Sequence, residues 1–179
     1  MYDISEEEME PIEEEMEPAE ENLVRVYIEI EQFSNIKYEY NKQLQQLEVD
    51  RILDEPFTYP YAYGYIPNTL ADDGDDLDVL ILTNLPLKND AFYSVYIIGA
   101  LQMEDEKGQD EKVLCVLKGD YQKNTKDIDN LTPEVKENIS SFFANYKNTT
   151  PNKWSKVGGF INKSEAVKLY KKTKLKKIN

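Results

Sequence analysis

Asp72-Asp73-Gly74-Asp75-Asp76-Leu77-Asp78 runs straight into Val79-Leu80-Ile81-Leu82, an acidic turn set against a continuous apolar run. Residues 77–82 read as a strand buried on both faces, and the glycine among the acids marks the turn that feeds it. Carboxylates a few ångströms apart disfavour one another's ionisation, so a fold that crowds them beside its core needs a cation there. The simplest candidate is a hard divalent ion, because Mg2+ and Ca2+ take oxygen ligands whereas zinc prefers nitrogen and sulfur. With no histidine and one cysteine in 179 residues, a carboxylate site is what this chain can build. An EF-hand loop is excluded by count: from Asp73, position six is Asp78 instead of glycine and position twelve is Asn84 instead of glutamate.

On the N-terminal side, Val24, Val26, Ile28 and Ile30 alternate with Arg25, Tyr27, Glu29 and Glu31, the pattern of a half-buried strand. Ile36, Tyr38 and Tyr40 then alternate with Lys37 and Glu39, which places a cation and an anion on the same side of a strand, able to line a cleft. Residues 46–51 form another short strand ending at Arg51. In residues 59–67 four tyrosines lie between Pro60 and Pro67 or beside them, and the prolines predict an ordered loop or edge strand.

On the C-terminal side, residues 92–103 and 112–117 flank Glu104-Asp105-Glu106-Lys107-Gly108-Gln109-Asp110-Glu111, a strand, acidic turn and strand that predict a hairpin. Thr132-Pro133-Glu134 supplies an N-cap, a first-turn proline and a first-turn acid. Val135, Ile139, Phe142, Phe143 and Tyr146 follow at helical spacing, with Lys147 next to the last of them. Residues 148–159 read as a polar connection, and a final helix from Ser164 to about Lys174 is predicted, capped by Ser164. Short strands followed by two main helices predict a mainly β, α+β fold, a small twisted barrel with flanking helices.

The charge is uneven. Of a formal −14, −11 falls in residues 1–22, which hold eleven acids and no base, leaving −3 for residues 23–179. Residues 1–22 therefore predict a disordered acidic tail with too little apolar content to order itself, and residues 23–179 one folded domain. The tail lacks the basic start and apolar run of a secretory signal. No apolar stretch approaches the roughly 20 residues of a membrane span. Cys115, alone in an apolar strand, reads as a reduced core thiol, and a cytoplasmic protein is expected. The lysines of residues 168–177 suit a solvated helix face near a C-terminus. A single-strand nucleic-acid binder needs a basic groove, and a cleft lined by these acids argues against one.

If the two acidic turns meet in space, they bring Asp73, Asp75, Asp78, Asp105, Glu106 and Asp110 to one site. Lys37, Arg51, Lys112 and Lys147, with the phenols Tyr63 and Tyr146, then suit a ligand that is itself an oxyanion. Metals and basic groups around a phosphate make a phosphoryl-transfer site, in which a metal-bound water is acidified and attacks phosphorus.

The chain resembles the soluble inorganic pyrophosphatases of family I. The resemblance covers nearly everything outside the tail and rests on Ile28-Glu29-Ile30, Ile36-Lys37-Tyr38-Glu39, Val49-Asp50-Arg51, Tyr59-Pro60 with Tyr63-Gly64-Tyr65-Ile66, and the run from Asp73 to Leu80. It continues through Asp105-Glu106 with Gly108, Asp110 and Lys112, Phe142-Phe143 with Tyr146-Lys147, and Lys153-Trp154. It implies a closed five-stranded barrel of oligonucleotide-binding type and Mg2+-dependent hydrolysis of pyrophosphate to two orthophosphates. By the family pattern Asp73, Asp78 and Asp110 would hold a first metal, with Asp78 shared by a second. Asp105 and Asp110 would meet a metal arriving with substrate, and Glu39 would stand near another through water. Asp75 would be the general base; Lys37, Arg51, Tyr63, Tyr146 and Lys147 would hold phosphate oxygens, supported by Lys112. Glu29, Tyr59 and Glu106 would support the site, while Tyr61 and Tyr65 are taken as packing residues. The core length resembles the shorter, prokaryote-type branch, for which a homo-oligomer, a hexamer by preference, is implied. Asp76 departs from the family's usual Pro or Glu and adds a carboxylate to the tightest turn.

Overall fold

The alternation of Val24, Val26, Ile28 and Ile30 becomes the first strand of a closed ring in the computed structural model, which describes residues 20–175. The elements in order are β1 (Leu23–Ile30), β2 (Ile36–Asn41), β3 (Gln46–Ile52), β4 (Ala62–Ile66), β5 (Leu77–Ile81), β6 (Ala91–Asp105), β7 (Gly108–Gln109), β8 (Lys112–Val116), α1 (Lys118–Lys123), α2 (Pro133–Asn145), β9 (Ser155–Asn162) and α3 (Lys163–Thr173). The ring runs β1-β4-β5-β8-β6 and closes through β6 back onto β1. All its pairings are antiparallel except β5 with β8. This is the five-stranded closure expected for the chain, a mainly β fold with three helices.

Of the acidic tail, residues 1–19 lie outside the described residues, and residues 20–22 already belong to the fold. Asn22 is buried; its side chain donates to the Ile97 carbonyl (3.0 Å) and its own carbonyl accepts from Ile97 N–H (2.8 Å).

Both faces of the ring are covered, which is why residues 79–82 are continuously apolar instead of alternating. Leu80 and Leu114 join one apolar cluster with Ile139, Phe142 and Phe143 of α2, whereas Val79, Ile81, Val113 and Cys115 join a second with Ala166 of α3. The signals read at the start of α2 hold: the Thr132 hydroxyl accepts from Val135 N–H and Pro133 opens the helix.

Three elements differ from expectation. Residues 62–66 form a central ring strand, because Pro60 and Pro67 flank β4 without entering it. Gly64 is what lets β4 lie there, since a Cβ on it would stand 1.8 Å from the Tyr27 carbonyl oxygen of β1. The supposed polar connection contains β9, which pairs with the far half of β6 despite its two glycines and mixed burial. The last helix is capped by Asn162, whose side chain accepts from Glu165 N–H, and not by Ser164.

β2 and β3 pair only with each other and stand beside the ring as a two-stranded ribbon. Among the described residues no helix is long and apolar enough to cross a membrane.

Candidate active site

The acidic turn is folded by its own backbone. Ala71 N–H donates to the Asp75 carbonyl (2.8 Å), Gly74 N–H to the Ala71 carbonyl (3.0 Å), and Asp75 N–H to Asp73 Oδ1 (3.0 Å). Gly74 takes φ of 90°, a conformation a side chain resists. The turn delivers Asp73 beside Asp78 on β5 and Asp110 just ahead of β8. One ligand oxygen from each of the three lies within 4.8 Å of the others.

Asp78 and Lys112 are register partners on the parallel pair β5 and β8. The Lys112 ammonium is therefore planted among the acids. Its Nζ donates to Asp78 Oδ2 (2.8 Å), Asp110 Oδ1 (2.9 Å) and the Tyr63 hydroxyl (3.0 Å), using all three donors. Burial by itself would push this lysine toward neutrality, but Asp78, Tyr63 and Asp110 hold its pKa well above the ordinary range. Tyr59, fully buried, packs 5.2 Å behind the Tyr63 ring without lining the cleft.

The second acidic turn does meet the first. Lys147, just after α2, pairs with Asp105 Oδ2 at 2.8 Å and stands 3.7 Å from Glu106 Oε1. Burial opposes the Lys147 charge, yet Tyr146 and Asp105 raise its pKa. Tyr146, the C-cap of α2, lies at the end of the helix's apolar face.

The ribbon makes the opposite wall, carrying Lys37, Glu39, Asp50 and Arg51. Its register slips between Lys37 and Tyr38, so that Asp50 is an extra residue and both Asp50 and Arg51 line the cleft. Lys37 Nζ reaches Asp50 Oδ2 at 2.6 Å, and although burial opposes it, this contact lowers the Asp50 pKa. Arg51 Nε and Nη2 are buried with no hydrogen-bond partner, 5.7 Å separating its Cζ from the centroid of Tyr146. A second slip, in β1 between Ile28 and Ile30, turns Glu29 into the same cleft, where its Oε2 accepts from Tyr40 N–H at 2.8 Å. The cleft measures about 370 Å3. Apart from Tyr59, every residue assigned a site role from sequence lines it.

The family profile for inorganic pyrophosphatase matches residues 26–177. The chain belongs to the inorganic pyrophosphatase family. It is 45% identical over 151 residues to an inorganic pyrophosphatase of Gluconobacter oxydans, spanning 83% of this chain and 87% of that one. Among solved structures, the inorganic pyrophosphatase of Helicobacter pylori superimposes with a TM-score of 0.82 at 40% identity, covering 87% of this chain and 94% of that one. That of Thermus thermophilus gives 0.80 at 38% identity, covering 84% and 88%. Family membership makes the chain an enzyme.

For a pyrophosphatase the cleft is internally neutralised to an unexpected degree. Part of the positive charge that the acidic turns require is supplied by lysines: Lys112 for Asp78 and Asp110, Lys147 for Asp105, Lys42 for Asp76 at 2.8 Å, and Lys107 at 3.8 Å from Asp75. Asp73 is the exception. Burial first, then Asp110, Asp78 and Asp75, push its pKa up to about 6 against the Asp75 N–H, the mark of a carboxylate short of positive charge. Lys112 engages one oxygen each of Asp78 and Asp110 and leaves the second of each open. Three carboxylates with free oxygens, no nitrogen or sulfur ligand, and unrelieved negative charge fit a hard divalent cation.

Sequence reading missed Lys42, Lys107 and Lys153 as lining residues and left Tyr65 as packing, although it too lines the cleft. Lys107 and Lys42 sit within the acidic turn and the ribbon turn, where a lysine has no pattern to distinguish it from a solvated one. Asp50 and Glu29 depend on strand slips that alternation cannot reveal.

Proposed function

We propose that this pyrophosphatase hydrolyses inorganic pyrophosphate to two orthophosphates in a Mg2+-dependent reaction. The observation that carries the reading is the pairing of opposites in one cleft: three carboxylate oxygens within 4.8 Å of one another on the ring wall share it with the Arg51 guanidinium of the ribbon, two of whose nitrogens are buried and unpartnered. The first holds cations and the second holds an oxyanion, and a metal complex of a polyphosphate needs both.

Asp73, Asp78 and Asp110 would hold a first metal; Asp105, with Asp110, would meet a metal arriving with substrate, and Glu39 would stand near another through water. A bound divalent cation supplies Lewis acidity toward water and phosphoryl oxygen and screens the substrate's charge. Arg51 offers its unpartnered N–H groups to phosphate oxygens. Lys37, Lys147, Tyr63 and Tyr146 orient the anion from the sides, and Lys112 fixes the Tyr63 hydroxyl while pairing with one oxygen each of Asp78 and Asp110. Asp75, with 60% of its side chain exposed and its backbone pinned by Asp73, is free to take the proton from the attacking water. The water oxygen bonds to one phosphorus, the bridging P–O bond breaks, and the other phosphate departs. Glu29, Tyr59 and Glu106 brace Tyr40, Tyr63 and Lys147 in turn. The buried, unpaired Cys115 thiol, its pKa raised by burial, suits a reducing cytoplasm. A homo-oligomer, hexameric by preference, follows from the resemblance, and sedimentation of the purified protein tests it.

Orthophosphate release from pyrophosphate is measured with millimolar Mg2+, with a chelator, and for Asp75→Asn. The expected outcome is release that requires the metal and drops about 10^2- to 10^4-fold in the variant at unchanged thermal stability. No release by folded protein that still binds Mg2+ overturns the reading.

A further inference from the structure

The ribbon that forms one wall of the cleft shares no strand pairing with the ring that forms the other. At its base the two strands are closed on each other by Leu53 N–H to the Asn35 carbonyl (2.7 Å), and Tyr59 N–H, on the segment that leads into β4, donates to the Ser34 carbonyl (2.9 Å). Its middle is tied by Tyr40 N–H to Glu29 and by the Tyr27 and Tyr40 rings, 5.2 Å apart. The tip carries another tie. Lys42 lies in the β2–β3 turn, where Asn41 Oδ1 accepts from both Gln43 N–H and Leu44 N–H at 3.0 Å, and its Nζ reaches Asp76 Oδ2 at 2.8 Å.

Asp76 is an unusual place for an ordinary surface ion pair to end. Its side chain is only 13% exposed, and it stands between Asp75 and Asp78, so without a cation its charge would add to a cluster already short of compensation. Lys42 is the counter-ion the structure gives it, across 34 residues of sequence.

We propose that Lys42 and Asp76 form a latch that sets the width of the cleft, holding Lys37, Glu39 and Arg51 on the ribbon at a fixed distance from Asp73, Asp75 and Asp78 on the acidic turn. Both are positioning residues; neither touches the reacting atoms. The latch joins the tip of the ribbon to the very segment that carries the acids, so releasing it lets the ribbon pivot about its base. The anion-holding groups then lose their register with the acids while the acids keep theirs. Substrate capture suffers more than turnover.

This inference rests on the hydrolytic reading for its kinetic arm, and hydrogen exchange of the ribbon tests it independently. Lys42→Met, Lys42→Arg, Asp76→Asn and the swap Lys42→Asp with Asp76→Lys are compared with the natural chain. Lys42 is 72% exposed, so its substitution does not threaten folding. The single losses should raise KM for pyrophosphate about two- to fivefold, the limit set by an exposed ion pair, with kcat little changed. The same variants should speed amide exchange in residues 36–52 by a similar factor. Lys42→Arg and the swap should restore both. Unchanged KM and ribbon exchange in the single variants, or a swap no better than they are, overturns the latch. Should the natural chain release no orthophosphate, the hydrolytic reading fails and the exchange data alone decide the latch.

Discussion

The two walls of the cleft hold their charges in opposite ways. On the ring wall Lys112 is 2% exposed in its side chain, and it, Asp78, Asp110 and Tyr63 satisfy one another on strands that also build the core. On the ribbon wall Lys37 and Asp50 are 24% and 33% exposed, and Arg51 keeps two nitrogens unspent. The difference separates two tasks. A buried, mutually satisfied network fixes where the carboxylates stand, at the risk of stability if any member is lost. A half-solvated ribbon presents donors whose partners have yet to arrive.

The largest effect should come from cutting the ring network at its centre. Lys112→Met leaves the buried Asp110 and Tyr63 hydroxyl, and the partly buried Asp78, without their donor, and removing one partner from such a cluster costs about 3–5 kcal/mol. Urea unfolding of the metal-free variant should show that loss, together with loss of hydrolysis. A stability change under 1 kcal/mol would erase the distinction between the walls.

Glu29 sits on the seam, in the β1 slip with its carboxylate on the ribbon's Tyr40 N–H. Burial, with Asp78 and Glu39, raises its pKa to about 8 despite that hydrogen bond. The folded chain thus holds this proton more tightly than the unfolded chain, whose glutamate titrates near the ordinary value. The associated stability is complete below about pH 4.5 and is lost as pH rises toward 8. Metal-free protein should lose of the order of a few kcal/mol over that interval. Glu29→Gln should flatten most of the fall, measured as thermal midpoint against pH.

Arg51 tests the ribbon side. Because its Nε and Nη2 serve no acceptor within the protein, Arg51→Lys orphans nothing, and stability should stay within about 0.5 kcal/mol. What is lost is the planar fork that meets two phosphate oxygens at once, and a lysine is only a point charge there. KM for pyrophosphate should rise about tenfold, roughly the worth of one charged hydrogen bond.

How much of this was legible depends on whether a signal is local. The acidic turn, the buried β5 and the Thr132-Pro133 start of α2 announce themselves within a few residues, and so did the family motifs that named the site. β4 was misread because proline two residues before a strand and proline just after it look, in sequence, like proline inside it. β9 was missed because Gly158 and Gly159 interrupt its alternation; its place is fixed by the unpaired edge of β6, a partner 50 or more residues away. Asp50 and Glu29 enter the cleft through slips of register, which are relations between strands that alternation cannot show; Glu29 was reached only through the family motif Ile28-Glu29-Ile30, and Asp50 was not assigned to the site.

The smallest effect should come from Lys107, and it sharpens the comparison most finely. Its Nζ lies 3.8 Å from Asp75 Oδ2, beyond a hydrogen bond, with both side chains more than half exposed. Solvent screens such a pair, so it does not brace the turn. Lys107→Ala should leave stability unchanged and alter kcat less than about twofold at physiological ionic strength. At low salt, where screening weakens, the loss of a cation beside the cleft should slow capture of the anionic substrate, so that kcat/KM falls while kcat does not. A tenfold loss of kcat in 0.15 M salt would mean that Asp75 is held by its lysine as firmly as Asp78 is held by Lys112, and that the two walls differ in exposure without differing in kind.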